Sequence, residues 1–290
     1  MDIQSLMILK AVAETGSFSA AARKLNYAQS HISTQILHLE QELGTPLFRR
    51  HNRGIELSSA GEVFLQYAND MARLMDAARQ AVADQNKPSG KLRLAAMQTT
   101  AQTILPKALA LYHRCYPDVE IEVRTGTSDN NLRAVLAYDA DLAFVAGSFA
   151  HSELAILPVV KEKLVLVSAC GAPPIRSAKE LENVTLLLFP VGCAYRRQLE
   201  GWLAAEGVVP GDSIVFDSLP AILASICAGL GVSLLPEEVA APCMEKQTLS
   251  VHELPASFSV LPLNVVYRKD RVPSPAIAKM AETIRLCCRD

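Results

Sequence analysis

The chain has 290 residues, half of them hydrophobic and 20% charged, with a net charge of −2 at pH 7. That length exceeds one typical domain, and the apolar fraction supports sizeable cores, which excludes global disorder. A near-neutral chain also excludes a basic coat over the whole surface. Its charge is nevertheless uneven, because Phe18 to Arg53 hold five cations against two anions, a local basic face of the kind a small DNA-reading module carries.

Along the chain, Leu6, Leu9 and Ala13 fall on one face of a first helix that Gly16 ends. Ser19 is placed to cap a second helix, Ala20 to Leu25, and a third runs from Gln29 to Leu43, stopped by Gly44. On the third helix Ile32, Ile36, Leu39 and Leu43 form one buried stripe. Its other face carries Ser30, His31, Ser33 and Thr34, flanked by Gln29 and Gln35. These short or amide side chains donate and accept at base edges, whereas a bland surface helix is filled with Glu and Lys. The pattern predicts a recognition helix.

Pro46 to Arg50 and Ile55 to Leu57 read as two short strands joined by a turn at Asn52-Arg53-Gly54. In this wing Arg53 sits at the tip, positioned for a minor groove, with Arg49 and Arg50 beside it for phosphates. Ser59-Ala60-Gly61-Glu62 matches a capping box. Phe64, Tyr67, Met71, Leu74 and Ala78 then recur with a mean period near 3.5, the spacing of a coiled-coil seam on a helix that Pro88-Ser89-Gly90 ends. Two heads on such a rod read two half-sites of double-stranded DNA.

The first 65 residues strongly resemble the LysR-type transcriptional regulators. The match runs through Ala11 to Ala22, then Gln29, Ser33, Gln35-Ile36, Leu39-Glu40, Glu42-Leu43-Gly44, Pro46 to Arg50 and Ala60-Gly61. The resemblance implies base contacts at Gln29 and Ser33 and a minor-groove contact at Arg53. Thr34, where many members carry a basic residue, and His31, where most carry a small one, mark a DNA preference of its own. It also implies promoter DNA with inverted-repeat half-sites, assembly as a dimer or tetramer, and contact with RNA polymerase.

From Lys91 on, strands and helices alternate in two series, which predicts parallel sheets with helices on their faces. The first series has strands at Lys91 to Met97, Val119 to Arg124 and Asp141 to Val145. The second has strands at Leu164 to Ser168, Leu186 to Phe189, Ser213 to Phe216 and Val232 to Leu235, and Val265 to Tyr267 returns the chain to the first lobe. The family resemblance implies the same: a periplasmic-binding-protein-like (type 2) α/β domain with a ligand cleft between two lobes. The fold expected is therefore an all-α winged helix-turn-helix head (1–58), a long linker and dimerisation helix with its hinge (59–90), and a two-lobe effector domain (91–290). Lobe I takes about 91–162 and 268–290, and lobe II about 163–267.

In open α/β sheets ligands lie beyond the strand C-termini, where helix N–H groups point outward. That rule singles out Gln98, Thr99, Thr100, Thr127, Ser128, Gly147, Cys193, Tyr195, Arg196 and Ser218 as effector contacts. Hydroxyls, helix N-termini and Arg196, preferred over its neighbour Arg197, suit a small anion. Cys193, near a helix start and a cation, is an alternative redox thiol with Cys227 as partner, since such a setting lowers a thiol pKa. An effector-blind architectural DNA binder is the other rival.

Catalysis is not indicated, because no nucleophile–base pair, phosphate-cradling loop or metal spacing occurs. The seven cysteines lack paired C-x-x-C spacing and read as reduced thiols, with neither a disulfide framework nor a cofactor. The longest apolar stretch, Val184 to Ala194, is broken by Thr185, Pro190 and Gly192 and is too short to span a bilayer. Asp2 opens the chain where a secretion signal would be basic, so a cytoplasmic location is expected.

Overall fold

A computed structural model describes residues 2–51, 54–81, 88–269 and 273–288. They form two compact units that divide after Val82. In the first unit, α1 (Ile3–Thr15) starts at Asp2, whose carboxylate accepts from the Ser5 amide at 2.7 Å, and stops at Gly16 with φ of 63°. The second helix, α2 (Phe18–Leu25), is capped by Ser17 rather than Ser19, and α3 (Gln29–Leu43) ends at Gly44 with φ of 68°. Strands β1 (Phe48–His51) and β2 (Gly54–Leu57) pair antiparallel, Phe48 opposite Leu57. A buried core of Leu6, Leu9, Val12, Phe18, Ile32, Ile36 and Leu39 joins the three helices. Leu43, expected on that stripe, is 37% exposed and takes no part in this core.

Two polar contacts set the wing on this core. Glu40 of α3 accepts from the amides of Leu47 and Phe48 at 2.7 and 3.2 Å, which fixes the entry into β1. The Ile55 amide donates to the Gly16 carbonyl at 3.1 Å. The long α4 (Ser59–Ala81) follows. Its cap is Ser58, not Ser59: the Ser58 hydroxyl accepts from the Gly61 amide at 3.0 Å and donates to the Pro46 carbonyl at 2.7 Å. One side chain thus satisfies an orphan helix donor and ties the helix to the wing.

The second unit begins with β3 (Gly90–Ala96), α5 (Gln98–Thr103), α6 (Leu105–Cys115), β4 (Val119–Thr125), α7 (Ser128–Leu136) and β5 (Leu142–Ala146). Strands β4, β3 and β5 are parallel neighbours, as the alternation predicts. Next comes β6 (Leu154–Ala169), one 16-residue strand where the sequence shows a strand only at its fully buried end. Lobe II adds β7 (Leu186–Leu188), α8 (Ala194–Ala205), β8 (Ser213–Val215), α9 (Leu219–Cys227), β9 (Ser233–Pro236), α10 (Glu237–Glu245) and β10 (Leu249–His252). The chain closes with β11 (Val260–Arg268) and α11 (Pro275–Cys287).

The expectation of parallel sheets holds only in part. β6 pairs antiparallel with β11, β9 and β10, and β11 pairs antiparallel with β5. The reason is that β6 and β11 cross between lobes in opposite directions, so each returns beside the other. β6 changes partner from β11 to β9 at Lys163–Leu164. β11 already lies against β5 at Leu263, so lobe I resumes before residue 268. Tyr112 on α6 is fully buried and donates to the Ala276 carbonyl at 3.0 Å, at the start of α11. Val135 of α7 packs with Ala95, Ala143, Val145 and Val266 in a separate cluster.

Candidate DNA-reading face and effector cleft

On α3 the buried stripe leaves Ser30 and Thr34 exposed, with Gln29 exposed and Ser33 half-buried beside them. The Gln29 side-chain oxygen accepts from the Ser19 hydroxyl at 2.8 Å. His31 and Gln35 turn the other way, towards α1. The His31 ring lies 5.0 Å from the Tyr27 ring and 3.4 Å from the Gln4 amide nitrogen, and Gln35 accepts from Ser5 at 3.3 Å. His31 was expected on the reading face and Gln35 on its flank, both as DNA contacts, but a 100° step per residue carries them to the side that packs on α1. Leu37, 53% exposed, joins the reading face instead; an apolar contact of this kind suits a thymine methyl.

In the wing, Arg49 is exposed and stands opposite Glu56. Arg50 lies in β1 opposite Ile55, while its side chain, like Arg53 as a whole, falls outside the described residues.

A cleft of about 350 Å³ separates the lobes of the second unit. Lobe I supplies Gln98 and Thr99 after β3, and Thr127 after β4; lobe II supplies Phe189, Cys193 and Tyr195 after β7. Several polar contacts cross it. The Gln98 amide nitrogen donates to the Asp217 carbonyl, and its oxygen accepts from the Leu219 amide at 2.7 Å. The Asp129 amide donates to the Gly192 carbonyl at 3.2 Å. Thr99 and Tyr195 meet at 2.9 Å between hydroxyl oxygens, and the Tyr195 hydroxyl donates to Glu162 at 2.9 Å.

Glu162 carried no sequence signal, since it sits in the charged run Lys161-Glu162-Lys163. Burial pushes its carboxyl up to about 7; the Tyr195 hydrogen bond opposes that rise and Glu238 adds to it. The folded chain therefore keeps a proton here that the unfolded chain, at its ordinary 4.5, has released. Stability from this group is complete below pH 4.5 and is lost as pH rises through about 7. Glu162→Gln, uncharged throughout, is expected to flatten the fall in thermal midpoint across this range. An unchanged slope would place the titrating group elsewhere.

Half of the expected effector contacts do not line the cleft. Arg196 turns along its own helix, pairing with Glu200 at 2.7 Å and donating to the Phe189 carbonyl at 3.3 Å. Arg197 pairs with Asp129 at 3.2 Å, so neither arginine points into the cleft as a free cation. Ser128 is buried and accepts from the Ala146 amide, and Ser218 caps α9 through the Ala221 amide. Gly147 is held by Pro262 and Asn264 in the lobe I sheet. The Thr100 hydroxyl is buried with no hydrogen-bond partner among the described residues. The strand-end rule singled out segments that line this cleft, and Thr125, Gly126 and Asn130 line it beside the residues it chose.

Residues 85–286 match the LysR substrate binding domain, and residues 3–62 match the bacterial regulatory helix-turn-helix protein, lysR family. The chain belongs to the LysR family of DNA-binding transcriptional regulators. It is 36% identical over 285 residues, 98% of this chain and 96% of the relative, to the HTH-type transcriptional regulator GltR of Bacillus subtilis (strain 168). It is 38% identical over 277 residues, 96% and 93% of the two chains, to the uncharacterized HTH-type transcriptional regulator YusT of the same organism. Among solved structures it is similar to full-length CbnR complexed with its target DNA, with a TM-score of 0.72 at 26% identity over 99% of this chain and 100% of that one.

Two further features of this LysR-family regulator bear on the redox alternative and on the α4 seam. Cys193 is buried, and burial raises its thiol pKa despite the amides of Arg196 and Tyr195 beside it. That opposes the low-pKa thiolate a redox sensor needs. On α4, Phe64 packs into its own head core, so the open seam begins at Tyr67, 60% exposed, and continues through Met71 and Leu74. Met71, Leu74 and Met75 line, with Ile3 and Met7 of α1, an apolar groove of about 440 Å³. Among the described residues no helix is long and apolar enough to cross a membrane.

Proposed function

We propose that this LysR-family regulator works in the cytoplasm as a homodimer or tetramer on inverted-repeat promoter sites, with its output set by a small polar effector held between the lobes. Gln29, Ser30, Ser33 and Thr34 read base edges; Arg49 and Arg50 hold phosphates, and Arg53 enters the minor groove. Effector binding moves the lobes, and the movement reaches the paired heads and their contact with RNA polymerase. The observation that carries the sensing half is the closure itself: Gln98 and Thr99 of lobe I hydrogen-bond to Asp217, Leu219 and Tyr195 of lobe II. A ligand inserted there must exchange these bonds, so its presence is coupled to lobe geometry.

The lining offers hydroxyls, the carboxamides of Gln98 and Asn130, and helix N-termini, with Asp217 at its edge and no Lys or Arg among its residues. That favours a neutral molecule or one with a single carboxylate over a dianion. Trp202, buried on α8 and donating to Glu206 at 2.6 Å, reports on the helix that begins at the cleft. Titration of small polar metabolites is expected to change its fluorescence and raise the thermal midpoint together. A broad panel that moves neither signal would leave the effector-blind reading in place. For the head, Ser33→Ala is expected to weaken operator binding about tenfold while sparing random DNA. Arg49→Ala should weaken both and lower the salt slope by about one.

A further inference from the structure

We infer that Ser19 is a positioning residue for DNA reading: its hydroxyl holds the Gln29 carboxamide so that the amide nitrogen, a hydrogen-bond donor, faces the major groove. The inference rests on the reading that Gln29 contacts a base edge. Ser19 is exposed on the first turn of α2 and takes no part in capping that helix, which Ser17 does. Its hydroxyl instead spans to the first residue of α3, donating to the Gln29 side-chain oxygen at 2.8 Å.

A serine hydroxyl can donate or accept, so the hydrogen bond alone does not choose the amide orientation. The surroundings do. The contact lies at the starts of α2 and α3, where the first-turn N–H groups create positive potential. That potential favours the carbonyl oxygen facing inward and turns the Nε2 hydrogens outward. A glutamine free to rotate makes a bidentate pair with adenine by offering both an oxygen and an NH2 group. With one lone pair of its oxygen already committed to Ser19, Gln29 presents donors to an acceptor: a purine N7, guanine O6 or thymine O4. Fixing the amide also removes rotamer freedom before DNA arrives, which lowers the entropy lost on binding.

Selection of binding sites from random duplexes tests this with the full-length protein and its Ser19→Ala, Ser19→Thr and Gln29→Ala variants. Ser19→Ala is expected to lower the preference for the selected site over random DNA about three- to tenfold. The loss should fall on the same base pairs that Gln29→Ala erases, whereas Ser19→Thr, which keeps the hydroxyl, retains the preference. Equal weakening of Ser19→Ala on all sequences would overturn the inference, since that marks a phosphate contact. So would a change at base pairs that Gln29→Ala leaves intact, or an unaltered Ser19→Ala preference beside a clear Gln29→Ala loss. If Gln29→Ala itself changes no base preference, the base-reading role of Gln29 falls, and the inference with it. Ser19 is on the surface, so equal thermal midpoints of the variants are expected to separate these outcomes from misfolding.

Discussion

Replacing both Met71 and Leu74 by aspartate is expected to leave a folded head and effector domain but no dimer, and operator affinity is expected to fall about 10²–10⁴-fold. The two side chains lie on the open face of α4, 37% and 51% exposed, one turn apart beyond Tyr67. None of these three residues packs on the chain's own core, unlike half-buried Phe64 and buried Ala68 of the same helix. Aspartates therefore cost the single chain little. Facing a second copy across a two-fold seam, four carboxylates would be brought together in an apolar groove, and burying unpaired charge is far more costly than the contact is worth. Sedimentation should show a monomer, and gel shift should show the weak, salt-sensitive binding of one head. A double variant that stays dimeric would place the assembly surface away from α4.

The second large effect is expected at Gly192. Its φ of 92° lies in the left-handed region, and an added Cβ would stand 3.0 Å from the Thr127 hydroxyl and 3.1 Å from the Asp129 Cβ. Those two residues belong to the first turn of α7 and its cap, on the opposite lobe. Gly192→Ala therefore carries backbone strain of about 1–3 kcal/mol and pushes the lobes apart. For a domain of this size that corresponds to a fall of several degrees in thermal midpoint. The effector-induced rise in midpoint should vanish, because the Asp129–Gly192 hydrogen bond and the Gln98 clamp can no longer close together. Binding to DNA by the separate head is expected to persist. An alanine variant that binds effector normally would show that the lobes need not approach this closely.

The head was legible in the sequence because its signals are local. Gly16 and Gly44 end their helices in the left-handed conformation that glycine adopts without strain, and Ile32, Ile36 and Leu39 repeat at the helical period. Caps were placed one or two residues late, at Ser19 and Ser59. Runs such as Ser17-Phe18-Ser19 and Ser58-Ser59 offer two hydroxyls, and only the chain's path decides which one reaches an amide. In the effector domain the strand-end rule located the cleft loops without resolving which side chains face it. Arg196 is drawn aside by Glu200 on its own helix and Arg197 by Asp129 from the other lobe. The second of these partners is 68 residues away. Glu162 and the full length of β6 were hidden for a related reason. Both depend on a partner strand, β11, that arrives about a hundred residues later.

That late arrival has a consequence for how the protein is made. Within the lobe I sheet, β11 lies between β6 and β5 rather than at an edge. Until residue 268 has left the ribosome, the N-terminal part of β6 and the free edge of β5 have no partner, while lobe II, formed by residues in between, already has its β6, β9 and β10 strands. Synthesis therefore completes the second lobe before the first, opposite to their order along the chain. The waiting interval exposes two apolar strand edges, the condition under which nascent chains associate wrongly. Premature termination between β6 and β11 should yield an insoluble product, even though the DNA-reading head is complete well before that point.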